Sequence, residues 1–142
     1  MIYLLSTQER IDFEDIQDIQ KVTIQDCLDY FKDKNTISVD TETEGFDPYT
    51  CKIISLQLGD SSNQFVIDCR NTSIQYFKEL LETKLLLLVN AQFDLRFLYH
   101  NNIYPKNIYD LFLVECILTT GLGDKDDIKD IQGDCGKQSI AL

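Results

Sequence analysis

The sequence lacks the residues that several common kinds of site require. His100 is its only histidine, and its five cysteines include no Cys-x-x-Cys pair. A zinc site is therefore not expected, and the cysteines are predicted to be buried, reduced thiols. The longest apolar run, Leu85 to Val89, is too short to span a bilayer, and the start at Met1 has no basic signal-peptide character. We expect a cytosolic protein, in the host cytoplasm if the source is viral, with no membrane partner.

Positive charge is also scarce. The chain has 13 Lys and Arg against 24 Asp and Glu, a formal net charge of −11. Proteins that capture nucleic acid over a broad surface usually present a basic face, so this balance disfavours that class. It leaves room for a small divalent-metal site that acts on one strand end, where metal ions rather than lysines meet the phosphates.

The 142 residues are enough for one domain, and they contain no internal repeat or compositional linker. We expect a single domain over residues 1–142, with an N-terminal strand and extension at 1–22 and an acidic tail at 124–142. The last residues, Ser139 to Leu142, resemble the first turn of a helix. The chain is therefore expected to be a truncated domain or one piece of a split protein.

The pattern of apolar residues predicts a mixed sheet with helices on its faces. An antiparallel meander of three strands comes first, followed by a continuous apolar strand of the kind that is buried on both sheet faces. Strands are predicted at Ile2 to Leu5, Thr36 to Glu42, Lys52 to Leu58, Gln64 to Cys69, Lys84 to Val89 and just before Asp110. Helices are predicted after the caps Thr23 and Ser73, from about Ala91 to His100, and from Leu111 to Thr120 with an end at Gly121 and Gly123. The fold class is α/β.

Three acidic residues stand at the ends of two predicted strands. Asp40 and Glu42 are two positions apart on one strand, so they project from the same face. This pair alone is a weak signal. Asp94 lies in the first turn of the helix after the most hydrophobic strand, and Asn90 is expected to cap that helix and point into the same crevice.

Bringing these carboxylates together costs about 4 kcal/mol per pair at about 4 Å in an effective dielectric near 20. Arg96 is expected to face away on its helix, and Lys52 lies across a loop. Hard divalent cations such as Mg²⁺ or Mn²⁺ prefer oxygen ligands and would offset the repulsion. Two such ions about 3.5–4 Å apart would activate a water and stabilise the leaving oxygen of a phosphodiester.

Two segments carry a resemblance to a known family. The run from Asp40 to Pro48 resembles the first motif, and the run from Asn90 to Asp94 the second motif, of the DEDD 3′→5′ exonucleases. The closer likeness is to the proofreading domain of family A DNA polymerases and their phage relatives, and it covers about Thr36 to Thr120. It implies an RNase H-like fold, C-terminally incomplete here, that shortens single-stranded DNA from its 3′ end.

The resemblance also implies roles for individual residues. By position, Asp40, Glu42 and Asp94 are the catalytic metal ligands, and Glu42 also holds the attacking water or the terminal hydroxyl. Two divalent ions, Mg²⁺ or Mn²⁺, are the implied cofactors.

Four further positions match residues that contact or support the substrate. Thr43 and Phe46 match contacts to the terminal nucleotide, with the Phe46 ring as a base-stacking wedge. Asn90 and Phe93 match supports of the second motif. Two alternatives stay open, namely Phe46 as a loop anchor and Phe93 as a simple core residue.

The third motif of the family, Tyr-x-x-x-Asp or His-x-x-x-x-Asp, is absent. Tyr109 is followed four residues later by Leu113, and His100 five residues later by Pro105. Asp110 matches a position that begins a structural helix in the family. The fourth carboxylate is therefore expected from a polymerase domain or a second polypeptide, with the acidic tail as a less favoured source.

Three functions remain open at this point. The first is a metal-dependent 3′→5′ exonuclease domain that acts on DNA, as part of a replication polymerase. The second is a catalytically incomplete module that binds a nucleic-acid end or a protein partner, which the absent motif favours. The third is a metal-dependent glycosyltransferase that uses the Asp-x-Glu pair, and the segment from Asn90 to Asp94 argues against it.

Overall fold

The computed structural model describes residues 1–6 and 19–120. The chain divides into two units, Met1–Asp110 and Leu111–Leu142. In the first unit the strands are β1 (Ile2–Leu5), β2 (Ile19–Lys21), β3 (Thr36–Thr43), β4 (Ile53–Gly59), β5 (Gln64–Asp68), β6 (Leu85–Leu88) and β7 (Asn107–Asp110). Its helices are α1 (Ile24–Phe31), α2 (Lys78–Thr83) and α3 (Gln92–His100). In the second unit, α4 spans Leu111–Thr119.

The seven strands of the first unit form one sheet in the order β2-β1-β5-β4-β3-β6-β7. Strands β3, β4 and β5 form the predicted antiparallel meander, and β6 and β7 continue from β3 in parallel. The mixed α/β sheet is thus confirmed. On the far side, β1 pairs in parallel with both β5 and β2.

Strand β2 was not predicted from the sequence. It has only three residues, one of them partly buried, so it shows too little alternation to be recognised. Its place is decided by pairing, because Ile19 lies opposite Ile2 of β1.

One hydrophobic core joins alternate residues of the strands to the inner faces of α1, α2 and α3. Its largest fully buried rings are Phe31, Phe77 and Phe97, one near or in each helical region. Burial of each such ring removes enough apolar surface to stabilise the fold by about 1.5–3 kcal/mol. This core fixes the helices against the sheet that carries the candidate site.

The helix starts follow local capping chemistry. The Thr23 hydroxyl accepts from the Asp26 N–H at 3.2 Å, and Asp26 Oδ2 accepts from the Thr23 N–H at 2.8 Å, which is a complete capping box. Ser73 also accepts from the Gln75 N–H, as predicted, but the helix after it begins as a 3₁₀ turn, Ile74–Phe77, before α2.

The continuous apolar strand at Lys84 to Val89 was predicted to be buried on both sheet faces, and this prediction is wrong for the observed strand, β6. Leu86 and Leu88 are buried in the core, whereas Leu85 is 36% exposed and Leu87 is partly exposed. Only one face of β6 packs on the core, so its continuous leucine run overstates its burial.

The cysteines were predicted to be buried, reduced thiols, and Cys27 confirms this fully. Cys27 is completely buried, and burial raises the pKa of its thiol to about 12. Cys51, Cys69 and Cys116 are partly buried, and none of these four forms a disulfide. None of the described helices is both long and apolar enough to cross a membrane.

Several predictions lie outside the described residues. They concern the extension within residues 1–22 where it covers residues 7–18, the glycines after α4, the acidic tail at 124–142 with Cys135, and the helical turn at Ser139 to Leu142.

Candidate active site

Strand β3 presents Asp40 and Glu42 on one exposed face, while Val39 before them and Thr41 between them are buried. The alternation predicted from the sequence is therefore confirmed. Only the first part of β3, Thr36 to Ser38, pairs with β6. Both acidic residues thus lie beyond the end of β6, beside the turn that leads into α3.

Asp94 lies in the first turn of α3 and is buried, with 3% of its surface exposed. Its Oδ1 accepts a hydrogen bond of 2.6 Å from the Thr41 hydroxyl. Burial raises the pKa of Asp94 to about 6; the Thr41 bond opposes this rise and the negative charge of Asp40 adds to it. The structure therefore places two of the three predicted carboxylates within electrostatic reach of each other.

The expected convergence of all three carboxylates is not present. Over residues 1–6 and 19–120, no group of three His, Cys, Asp or Glu side chains is arranged to hold a metal ion. Asp94 is instead held by Thr41, the residue between Asp40 and Glu42 on β3. The assignment of Asp40, Glu42 and Asp94 as metal ligands stays a prediction.

A neighbouring polar atom supports a cation at this place. Gln57 lies directly opposite Asp40 in the β3–β4 pair, so the two side chains share a face. The Oε1 atom of Gln57 is buried and has no hydrogen-bond partner, although its Nε2 donates to Ser55 at 2.8 Å. Such an orphaned oxygen calls for an ion, a water or a donor group. The donor set of carboxylate and amide oxygens thus fits a hard divalent ion.

Asp110 organises the start of α3, although the sequence predicted for it only a place at the beginning of a structural helix. The backbone N–H groups of Asn90 and Ala91 donate to Asp110 Oδ1 and Oδ2 at 3.1 and 2.9 Å. Asp110 ends β7 opposite Leu88 of β6, so its carboxylate lies beside the turn that follows β6. An acidic residue at the end of a parallel neighbouring strand is the signal that could have found it.

The predicted capping role of Asn90 is wrong. The residue before α3 is Ala91, and no side chain caps this helix in the usual way. Asn90 instead has φ of 57°, in the left-handed region that asparagine tolerates better than most residues. It makes the sharp turn from β6 into α3, and Asp110 satisfies the backbone donors that the turn exposes.

The predicted substrate-contacting rings lie next to each other. Phe46 is 82% exposed, and its ring meets the ring of Phe93 edge to face with centroids 6.2 Å apart. Phe93 is partly buried and contacts the fully buried Phe97 at 5.2 Å. A ring this exposed does not anchor its loop in the core, which disfavours the loop-anchor alternative, and the base-stacking role of Phe46 stays a prediction. Phe93 links the exposed ring to the core.

The loop that carries Phe46 is held by its own hydrogen bonds. The Thr43 hydroxyl donates to the Gly45 carbonyl at 2.6 Å, and the Glu44 N–H donates to the Lys52 carbonyl at 3.0 Å. A Cβ atom at Gly45 would lie 2.8 Å from Cys51 Sγ, so glycine is needed there for close packing. Thr43 thus supports the loop, and its predicted contact with a nucleotide stays a prediction.

Comparison with known proteins identifies the family. The model of the 3′-5′ exonuclease family matches residues 19–123, about three quarters of the chain. The chain belongs to this family. The match includes β2 to β7 and both segments that carry the acidic residues.

This exonuclease-family domain also has a curated relative. The chain is 31% identical to DNA polymerase I of Aquifex aeolicus (strain VF5) over 81 residues, which cover 56% of this chain and 13% of the polymerase. The domain therefore corresponds to a small part of that protein.

Solved structures show the same fold. NrnC of Brucella melitensis matches with a TM-score of 0.59 and 21% identity over 76% of this chain and 55% of NrnC. The same protein with bound Mg²⁺ gives a TM-score of 0.58 and 17% identity, over 94% of this chain and 60% of NrnC. Trypanosoma brucei RNase D in complex with RNA U12 gives a TM-score of 0.53 and 16% identity, over 62% of this chain and 34% of RNase D. The RNase H-like exonuclease fold expected from the sequence is thus confirmed.

Proposed function

We propose that this exonuclease-family domain belongs to a metal-dependent 3′→5′ exonuclease that hydrolyses the last phosphodiester bond at a 3′ end of DNA, in proofreading during replication. The observation that carries the proposal is the buried Asp94 carboxylate beside Asp40, at the open end of β3. Two acidic groups that repel each other, one buried and one exposed, form a site that a cation stabilises.

The proposed roles follow from where the side chains lie. Asp40, Glu42 and Asp94 would hold two divalent ions, Mg²⁺ or Mn²⁺, and these supply Lewis-acid activation of water and charge stabilisation at the phosphate. Glu42, on the exposed face of β3, would orient the water or the terminal hydroxyl. Phe46 offers an exposed ring on which the terminal base can stack.

The relatives bear on the choice of substrate without deciding it. The polymerase relative, at 31% identity, favours DNA. The RNase D neighbour is solved with RNA, but its 16% identity carries information on the fold alone. We therefore propose single-stranded DNA as the substrate, with a polymerase domain or a second polypeptide completing the site.

A second candidate function is a catalytically incomplete module that binds a nucleic-acid end or a protein partner. Two observations favour it, namely the absent third motif and the lack of a three-residue metal group in the part of the chain that the structure describes. It differs from the first proposal in one respect, because it predicts binding without cleavage.

The test uses a single-stranded DNA oligonucleotide with a 5′ label. With Mg²⁺ or Mn²⁺ we expect progressive shortening from the 3′ end, no shortening in EDTA, and loss of the reaction in Asp40→Ala. Asp33→Ala removes an exposed carboxylate that lies before the start of β3, seven residues ahead of Asp40, and is the matched control. An RNA oligonucleotide of the same sequence, cut faster than the DNA, would overturn the DNA assignment.

The two candidates give different results in the same assay. A label that stays intact while the wild-type chain still binds the oligonucleotide contradicts cleavage by this chain without a completing polypeptide, and it supports the binding module. A label that stays intact without binding contradicts both for nucleic acid.

A further inference from the structure

A cavity of about 530 Å³ lies at the end of α3 that is away from Asp94. Its walls are the loop after β3, the start of β4, the residues after β5 and the last residues of α3, and they include Tyr49, Lys52, Arg70 and His100. His100 is six residues beyond Asp94, which corresponds to about 9 Å along the helix axis. The cavity is thus separate from the carboxylates but within a few nucleotides' length of them.

The cavity is bordered by an exposed aromatic ring. Tyr49 is 82% exposed, and its ring contacts His100 edge to face with centroids 5.2 Å apart. Phe46, in the same loop, is equally exposed and contacts Phe93 in the same manner. One loop therefore holds two exposed rings against α3, one near its start and one at its end.

The spacing of these two contacts follows from the helix. Phe93 and His100 are seven residues apart, so they lie on the same face of α3 and about 10.5 Å apart along its axis. This distance is about three times the 3.4 Å rise of stacked nucleotides. A strand whose terminal base meets Phe46 can place a base two or three positions upstream at Tyr49.

The charges at the cavity suit phosphate. Two basic side chains, Lys52 and Arg70, line it together with the carboxylate of Glu44 and the titratable His100, and Asp68 forms a salt bridge with Arg70. Arg70 is oriented by Asp68, which accepts from its Nε at 2.8 Å and its Nη2 at 3.0 Å. Glu44 Oε2 is engaged by the Lys52 N–H at 3.0 Å.

We propose that this cavity is an upstream subsite, which binds a nucleotide of the substrate strand two or three positions before its 3′ end. The base stacks on Tyr49, and the adjoining phosphates are met by Lys52 and Arg70. His100 is a positioning residue that supports the Tyr49 ring. The inference rests on the proposed function and deepens it, because it makes productive binding depend on strand length.

The size of the cavity and the nature of its wall favour a nucleotide over an acidic peptide. A volume of about 530 Å³ accommodates one nucleotide, since ligand sites commonly span about 300–1,000 Å³. An exposed ring beside two cations is the combination by which proteins hold single strands without reading their sequence.

The experiment measures binding of 5′-labelled thymidine oligonucleotides of two and eight residues by fluorescence anisotropy, in EDTA and at low salt. We expect Tyr49→Ala and Lys52→Ala each to weaken binding of the eight-residue strand about fivefold to tenfold. Neither change should alter binding of the dinucleotide. Phe46→Ala should weaken binding of both lengths.

The controls separate stacking from a general effect on the fold. Tyr49→Phe keeps the ring and should bind like the wild type, and so should Tyr76→Ala, which removes a 59% exposed tyrosine that does not line the cavity. Lys52→Ala should also flatten the salt dependence of binding, by about 0.7 in the logarithmic slope for one phosphate contact on a single strand.

Each outcome is decisive. Binding of the eight-residue strand that is unchanged in both Tyr49→Ala and Lys52→Ala overturns the upstream subsite, while binding weakened in Phe46→Ala leaves the proposed function standing. If neither length binds to the wild-type chain, either in EDTA or with Mg²⁺ present, the proposed function fails and the subsite fails with it.

Discussion

The hydroxyl of Thr41 donates a 2.6 Å hydrogen bond to the buried carboxylate of Asp94, which is 53 residues further along the chain. This bond ties the first turn of α3 to the centre of the sheet. It also sets the chemistry of the site, because it opposes the effect of burial on Asp94.

Replacement of Asp94 by Asn should stabilise the metal-free protein at neutral pH. The pKa of Asp94 is raised to about 6, so its charged form is favoured less in the folded than in the unfolded state. The carboxylate therefore lowers stability as the pH rises from about 4 through 6. We expect Asp94→Asn to raise the free energy of unfolding at pH 7.5 by about 1–2 kcal/mol.

Chemical denaturation of both proteins at pH 4 and pH 7.5 checks this. The increase in the free energy of unfolding of Asp94→Asn over the wild type should shrink towards pH 4. Nuclease activity should be lost in this variant. A variant that is less stable than the wild type at pH 7.5 would contradict the assignment of a raised pKa.

Removal of the Thr41 hydroxyl should destabilise the protein. Thr41→Val keeps the shape but leaves buried Asp94 without this donor, at an expected cost of about 1–3 kcal/mol at pH 7.5. Thr41→Ser retains the hydroxyl and should lose less. Equal losses in the two variants, measured by urea denaturation, would show that packing rather than the hydrogen bond is responsible.

Asp110 should be needed for the turn that presents Asp94. Asp110→Ala removes the acceptor of the exposed Asn90 N–H and the partly buried Ala91 N–H, and we expect a loss of about 0.5–1.5 kcal/mol. Asn90→Gly should leave the stability of the fold nearly unchanged, because glycine readily adopts the φ of 57° found at this position. Thermal unfolding of both variants gives the comparison, and an Asn90→Gly protein that unfolds as readily as Asp110→Ala would contradict this account.

Divalent ions should stabilise the folded chain if the site binds them. We expect Mn²⁺ to raise the melting temperature of the wild type in a concentration-dependent manner, since a ligand that binds the folded state stabilises it. Asp40→Ala should abolish the shift and Asp33→Ala should retain it. A full shift in Glu42→Ala would remove Glu42 from the predicted set of ligands.

Asp60, a partly exposed carboxylate in the turn between β4 and β5, should contribute to the acid sensitivity of the fold. The pKa of Asp60 is held well below its ordinary value, mainly by Lys34 at 2.8 Å and then by the N–H groups of Asn63 and Ser62. A lowered folded pKa means that Asp60 stabilises the fold above about pH 4, and that this contribution is lost as the pH falls through its folded pKa.

The comparison of wild type with Asp60→Asn tests that statement. The wild type should be more stable at pH 7, and the difference should narrow as the pH falls from 4 to 2. Asp33→Asn, at an exposed position, should follow the wild type throughout. A difference that stays constant with pH would show that the charge of Asp60 is not responsible.

Local patterns in the sequence determined the meander, the helices and the shared face of Asp40 and Glu42, because strand alternation and helix capping depend on residues a few positions apart. Asp94 joined them through its predicted place in the first turn of the helix after the most hydrophobic strand, and the family resemblance then implied its role as a ligand.

Only the tertiary structure decided what those residues meet. It paired Thr41 with Asp94, made Asp110 the acceptor for the backbone of the turn at Asn90, and placed Tyr49 beside His100. These contacts join residues 20 to 53 positions apart, and they depend on strand order and on the packing of α3 against one core. No short-range pattern encodes such long-range geometry, which is why the capping role of Asn90 was predicted and the role of Asp110 was not.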